Sequence, residues 1–300
     1  MEQPRLVTAL ITPFLHGQVD IEGLKTHIAY QIDNGVEGIL VLGTTGESPT
    51  LTREERKVVI ASAVDAVNKR VPVFVGTGTN ATQSTIELTN EAHDLGADAA
   101  LVVTPYYNCP MQEGIYEHFA ALSRAANIPI CIYNIPKRAA CTMTVETVLK
   151  IAQLPRIIGI KQSSGDLNQA ASLMHGISSQ REQFMLWSGE DTLILPMMAL
   201  GGGGVISVAS NLVPGEMRTI VDAASVGDFH AARQDFFALL PLLNALCLET
   251  NPIPIKAAMD ICAMPSGPCR SPLGSMSEEN RRRLRETLNA CGIVSLQVRS

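Results

Sequence analysis

A lysine closes the apolar run Ile157-Ile158-Gly159-Ile160-Lys161, and of the seven lysines in the chain Lys161 is the one that ends such a run directly. A primary amine on a short buried strand can add to the carbonyl of a keto acid and lose water to give an imine, provided it is unprotonated, the form that a dry pocket favours. Position alone suits a lysine that snorkels to solvent equally well. Other polar residues follow comparable runs. In Gly43-Thr44-Thr45-Gly46-Glu47-Ser48 the glycines allow a tight turn and close approach to a ligand, while the threonines offer hydroxyls and N–H groups to a carboxylate. Thr104-Pro105-Tyr106-Tyr107-Asn108 and Tyr133-Asn134-Ile135-Pro136-Lys137-Arg138 add phenols able to relay protons and a guanidinium suited to a second carboxylate. Ser188-Gly189-Glu190-Asp191 and the glycine run Gly201 to Gly204, leading into Val205-Ile206, follow further on. No basic residue stands beside that run to pair with a phosphate, so backbone contact with a small carboxylate is the better reading. Taken singly each motif is weak; Lys, Tyr, Thr and Arg gathered at four run ends are hard to attribute to packing.

Eight short runs rich in Val and Ile, at 6–12, 37–42, 71–76, 98–104, 128–133, 156–161, 184–188 and 203–208, show no in/out alternation, as strands buried on both faces of a parallel sheet should. Between them lie helical stretches. Asp20 precedes one, Thr52 with Glu55 makes a capping box for another, and Asn80 is expected to open a third that ends at Gly96. Eight strand–helix repeats predict an α/β fold, a closed (β/α)₈ TIM barrel, whose active site lies at the C-terminal strand ends. No GxGxxG follows the first strand, which disfavours a dinucleotide-binding sheet. After Leu212 the strand runs stop and helices are predicted over 213–225, 227–248, 252–263 and 276–291. The organisation expected is a catalytic barrel, 1–212, and a C-terminal helical region, 213–300.

With 300 residues, 46% of them hydrophobic, the chain can fill one large core. The net charge of −6 is spread among interspersed residues, which argues against nucleic-acid or anionic-membrane partners. Apolar stretches stop well short of the roughly 20 residues of a membrane span, and the start lacks a signal-peptide pattern, so the cytoplasm is the expected compartment. The seven cysteines form no CxxC pair and the six histidines no HExxH, so free thiols and no metal site are expected.

GTTGES, GTGTN, TPYYN, YNIPKR, IIGIK, GGGGVISV and NPIPIK occur in an order in which the whole chain resembles the dihydrodipicolinate synthases, within the N-acetylneuraminate lyase superfamily of class I aldolases. The resemblance implies condensation of pyruvate with L-aspartate-4-semialdehyde, the first committed step toward diaminopimelate and lysine. It implies that Lys161 forms the Schiff base and that Tyr133 gives and takes protons, with Thr44 and a Tyr107 lent by a neighbouring subunit completing the relay. Thr45, Gly189 and the main chain at Ile206 then bind pyruvate, and Arg138 receives the semialdehyde carboxylate. A homotetramer without metal or cofactor is implied as well. Sialic-acid lyases and keto-deoxy-sugar aldolases of the superfamily generally lack an arginine at the place of Arg138, which favours the synthase over those aldolases; a keto-acid sensor or scaffold without turnover is the third reading. Ser48, Arg56, Asn80 and Tyr106 match the family's lysine feedback site. Pro49, Arg53 and Ser84 depart from the small residue, His and Glu of lysine-sensitive members, and argue against feedback. Gln162, Ser163, Ser164 and Glu190 also depart from the commonest pattern, away from the named chemistry.

Overall fold

The computed structural model describes residues 3–178 and 184–293. All eight apolar runs are strands: β1 (Leu6–Ala9), β4 (Gly38–Val41), β5 (Val73–Gly76), β6 (Ala99–Val103), β7 (Ile130–Asn134), β8 (Ile157–Gln162), β9 (Met185–Ser188) and β10 (Gly204–Ser207). Every neighbouring pair is parallel, and β1 bonds both β4 and β10, so the sheet closes into a barrel. A two-stranded hairpin, β2 (Phe14–Leu15) and β3 (Gln18–Val19), hangs from the end of β1 and is not legible in the sequence. It turns on His16 and Gly17, both with positive φ (51° and 77°), a twist that matches the strands although histidine rarely signals it.

Alternate residues of each strand face inward and outward, and here both directions are dry. Phe74, Leu101, Cys131, Tyr133, Trp187 and Ile206 are among those that fill the interior. Leu6, Ile39, Ile132, Ile160 and Val205 pack outward under the helices. Trp187 is fully buried, donates its indole N–H to the Pro4 carbonyl at 2.7 Å, and meets Phe74 edge to face. A Cβ on Gly159 would lie 2.6 Å from the Trp187 ring, so only glycine admits that side chain. Between β7 and β8 the register slips by one residue, a bulge at Ile158, and beyond it Tyr133 stands opposite Lys161.

Helix α1 (Ile21–Asp33) starts at Asp20, whose Oδ1 accepts the Gly23 N–H at 2.9 Å. At α2 (Arg53–Val67) the capping box closes both ways, Glu55 N–H to Thr52 Oγ1 and Thr52 N–H to Glu55 Oε2. The expected cap at Asn80 is corrected. Helix α3 (Thr82–Asp94) begins later, with Ala81 at the cap position and no side-chain cap; ahead of it the Thr79 hydroxyl takes the Ala81 N–H (3.1 Å) and the Thr85 hydroxyl takes the Thr79 N–H (3.0 Å). Then follow α4 (Gln112–Ala125), α5 (Pro136–Ala139), α6 (Val145–Ala152), α7 (Leu167–Ser178) and α8 (Ile194–Ala199).

The four C-terminal helices fall where they are predicted: α9 (Pro214–Ser225), α10 (Phe229–Ala245), α11 (Ile253–Ile261) and α12 (Glu278–Ala290). Helix α9 lies on β1 and β10 and completes the outer ring, while α12 packs on α10 and α11 beside it. The charge run of α12 is a solvated face; Leu284 and Leu288, four residues apart, are its buried contacts. Among the described residues no helix is long and apolar enough to cross a membrane.

Candidate active site

Lys161 and Tyr133 are the penultimate residues of β8 and β7, paired in register and both facing the barrel axis. Lys161 is 5% exposed and Tyr133 6%. The amine Nζ lies 4.7 Å from the centre of the phenol ring, within cation–π range. Among the described residues no hydrogen bond or ion pair engages that amine. Gly189, just past β9, makes room for the lysine stem. Its N–H donates to the Gln162 carbonyl at 2.9 Å, and a Cβ there would fall 2.9 Å from Lys161 Cε and 3.1 Å from Cγ.

Thr44 and Thr45 lie in the turn after β4, closed by the Glu47 N–H on the Thr44 carbonyl (3.1 Å). The Thr12 hydroxyl donates to the Gly46 carbonyl at 2.7 Å and holds the turn from beneath. Thr45 is 2% exposed and its Oγ1 accepts from Asn251 Nδ2 at 2.9 Å. That contact occupies a lone pair and leaves the hydroxyl proton to donate. Ile206 is fully buried in β10. The main chain just beyond it is fixed by Asp191, whose Oδ2 accepts the N–H groups of Val208 (3.0 Å) and Ala209 (2.9 Å). Burial pushes the Asp191 carboxyl up, against these hydrogen bonds and the positive charge of Lys161.

Arg138, on α5, is exposed at the rim and donates through Nη2 to Thr250 Oγ1 (3.2 Å) and to the Asn251 carbonyl (3.1 Å). Tyr107 is the exception. It has φ +73° and is 89% exposed, so it is not gathered with Lys161 and Tyr133 into the mouth of its own barrel. Of the residues matching a feedback site, Arg56 donates to Ser48 Oγ and to the Gly76 carbonyl (3.0 Å), and burial lowers its pKa against the pull of Glu91 and Tyr106. The Asn80 carbonyl accepts from Asn108 Nδ2 at 2.9 Å, and Tyr106 is 37% exposed. Arg53 is drawn away to Glu91 on α3 (3.0 Å).

Four further residues shape this site without having drawn a role from the sequence: Asn251, Asp191, and the buried pair Glu47 and Lys256, 2.7 Å apart. NPIPIK is visible as a motif, but its partners Thr45 and Glu47 lie more than 200 residues away. Lys256, 3% exposed, spends its three N–H bonds on Glu47 Oε1 (2.7 Å) and on the carbonyls of Thr12 (3.0 Å) and Pro268 (3.3 Å). All seven cysteines are free, and burial pushes the Cys131 thiol inside the barrel up to about 12. Among the described residues no three His, Cys, Asp or Glu side chains gather as a metal would need.

Residues 2–291 match the profile of the Dihydrodipicolinate synthetase family. The chain belongs to that family. A 4-hydroxy-tetrahydrodipicolinate synthase of Protochlamydia amoebophila is 48% identical over 285 residues, 95% of each chain. Its counterpart in Methanocaldococcus jannaschii is 45% identical over 287 residues, 95% of this chain and 98% of that one. The crystal structure of dihydrodipicolinate synthase from Aquifex aeolicus superposes with a TM-score of 0.94 at 45% identity, covering 97% of this chain and 99% of that one. The lysine-bound enzyme of Cyanidioschyzon merolae gives 0.92 at 39% identity, covering 96% and 98%. Membership makes the chain an enzyme of the lyase class on a (β/α)₈ barrel.

Proposed function

We propose that this barrel condenses pyruvate with L-aspartate-4-semialdehyde to 4-hydroxy-tetrahydrodipicolinate through an imine at Lys161. One observation carries the assignment of the amine. Of the two buried lysines, Lys256 has all three N–H bonds committed, whereas the Lys161 amine is uncommitted and rests over the face of Tyr133. Lys161 adds to C2 of pyruvate, and water leaves as the iminium forms. Loss of a methyl proton gives an enamine, whose carbon attacks the aldehyde of the second substrate; the amino group of that substrate then displaces Lys161 and closes the ring. Tyr133, whose ring lies under the amine, is the proton carrier, with Thr44 and the Tyr107 of a neighbouring subunit passing protons to solvent. Thr45, its lone pair held by Asn251, donates to the pyruvate carboxylate, the main chain at Ile206 holds the same group, and Gly189, without a side chain, lines the substrate's place. Arg138 receives the carboxylate of the semialdehyde.

The exposure of Tyr107 supports a homotetramer in which that side chain completes a partner's site, and the reading places the enzyme in the cytoplasm without metal or cofactor. Arg138 and the names of the curated relatives favour the synthase over an aldolase for keto-deoxy sugar acids. Borohydride reduction in the presence of pyruvate adds a three-carbon group to Lys161, read by the mass of its peptide; an unmodified peptide ends the proposal. Turnover with aspartate semialdehyde and none with sugar acids separates the two enzyme readings.

A further inference from the structure

We propose that Lys256 is a positioning residue for this reaction: through Glu47 it holds the turn that presents Thr44 and Thr45 to substrate. The inference rests on the roles proposed above for those two threonines. Glu47 is 1% exposed and sits at φ +54°, in the left-handed region that a residue with a Cβ adopts only when its surroundings impose it. Its two carboxylate oxygens are what impose it. Oε1 accepts from Lys256 Nζ at 2.7 Å and Oε2 from the Arg270 N–H at 2.9 Å. With the backbone so fixed, the Glu47 N–H reaches back to the Thr44 carbonyl and closes the turn.

Lys256 also donates to the Thr12 carbonyl, and the Thr12 hydroxyl donates to Gly46, so one ammonium grips the turn at Glu47 directly and at Gly46 through Thr12. Burial drives the Lys256 ammonium toward its neutral form, and the charge of Glu47 opposes this. Two buried charges are a poor stability device, because an apolar pair of the same volume does as well or better. What an apolar pair cannot do is fix a left-handed turn by hydrogen bonds at both of its ends. Geometry at the two threonines is therefore what the pair secures.

The full-length double variant Glu47→Gln/Lys256→Met removes both charges together and leaves no lone buried ion. The expected result is a melting temperature within a few degrees of the parent, amide exchange at Gly46 and Glu47 faster by about tenfold, and kcat/KM for pyruvate lower by about 30-fold, mostly in KM. Parental exchange and parental kcat/KM in the folded double variant overturn the proposal and leave the pair a packing feature. If the double variant does not fold, Thr12→Val decides, since it cuts only the hold on Gly46: pyruvate KM rises several-fold, and an unchanged KM refutes the clamp. The exchange measurement needs no chemistry at Lys161. Failure of the pyruvate adduct on the parent enzyme therefore sinks the catalytic reading, and the exchange rates still judge the clamp.

Discussion

Gly189→Ala tests the placement of Lys161 more sharply than removal of the lysine, because it moves the amine instead of deleting it. The added Cβ would lie 2.9 Å from Lys161 Cε and 3.1 Å from Cγ. Carbon atoms rest at about 3.5–4.0 Å, so the lysine stem must retreat by roughly 0.6 Å. The nearer contact, with Ser163 Oγ, involves a hydroxyl without a hydrogen-bond partner that can swing aside at little cost. No left-handed backbone is involved at Gly189, so torsional strain does not confuse the result. Overpacking of this kind costs about 1–3 kcal/mol, and a displacement near an ångström at a reacting atom lowers turnover by about 10²-fold. The assay is the rate of borohydride-trapped pyruvate adduct on Lys161, with coupled turnover and melting temperature measured in parallel. Adding Ser163→Ala should recover little, since the obstacle is the lysine. A variant that traps pyruvate at the parental rate shows that the reacting amine is not the one beside Gly189, and the mechanism falls with it.

Tyr133→Phe keeps the ring under the Lys161 amine and removes the hydroxyl, so it should lower kcat by about 10²-fold; a parental kcat removes Tyr133 from the relay. Arg138→Ala should raise KM for the semialdehyde while leaving adduct formation with pyruvate intact, because Arg138 is anchored at the rim on Thr250 and Asn251; the reverse pattern refutes that placement. Acid stability follows His27, which burial depresses from 6.5 to about 4 against its hydrogen bond with Asn211. Between those two values the unfolded chain binds the proton that the folded chain refuses. The stabilisation is thus complete above 6.5 and is lost as pH falls toward 4, by about 2 kcal/mol between pH 7 and pH 4.5 for this one side chain. Urea unfolding at the two pH values measures it, and His27→Gln should flatten the dependence by that amount; an unchanged slope refutes the assignment. His118, lowered to about 4 by burial, acts in the same window.

Strand ends and helix caps are written in neighbours along the chain, which is why β7, β8, Lys161 and Tyr133 are legible in the sequence together with the caps at Asp20 and Thr52. Asn80 misleads because the cap position falls one residue further on, at Ala81, behind a loop tied by the hydroxyls of Thr79 and Thr85. The hairpin at Phe14 hides behind a histidine in a left-handed conformation. The pairing of Tyr133 with Lys161 depends on a bulge that no periodicity announces. Asn251 and Lys256 reach Thr45 and Glu47 across more than 200 residues, so their roles exist only once the barrel has closed. The disposition of Tyr107 is decided by backbone geometry at one residue, which its neighbours in sequence do not encode.

The straps from Asn251 and Lys256 have a bearing on synthesis. A nascent chain paused after α9 already has all eight strands, the buried Lys161 amine and Tyr133 beneath it, but neither strap that steadies the Thr44–Thr45 turn. The turn is thus left without its two side-chain anchors until the last sixth of the polypeptide has been made, and a product truncated before Asn251 would present the Lys161 amine beside an unsupported Thr44–Thr45 turn.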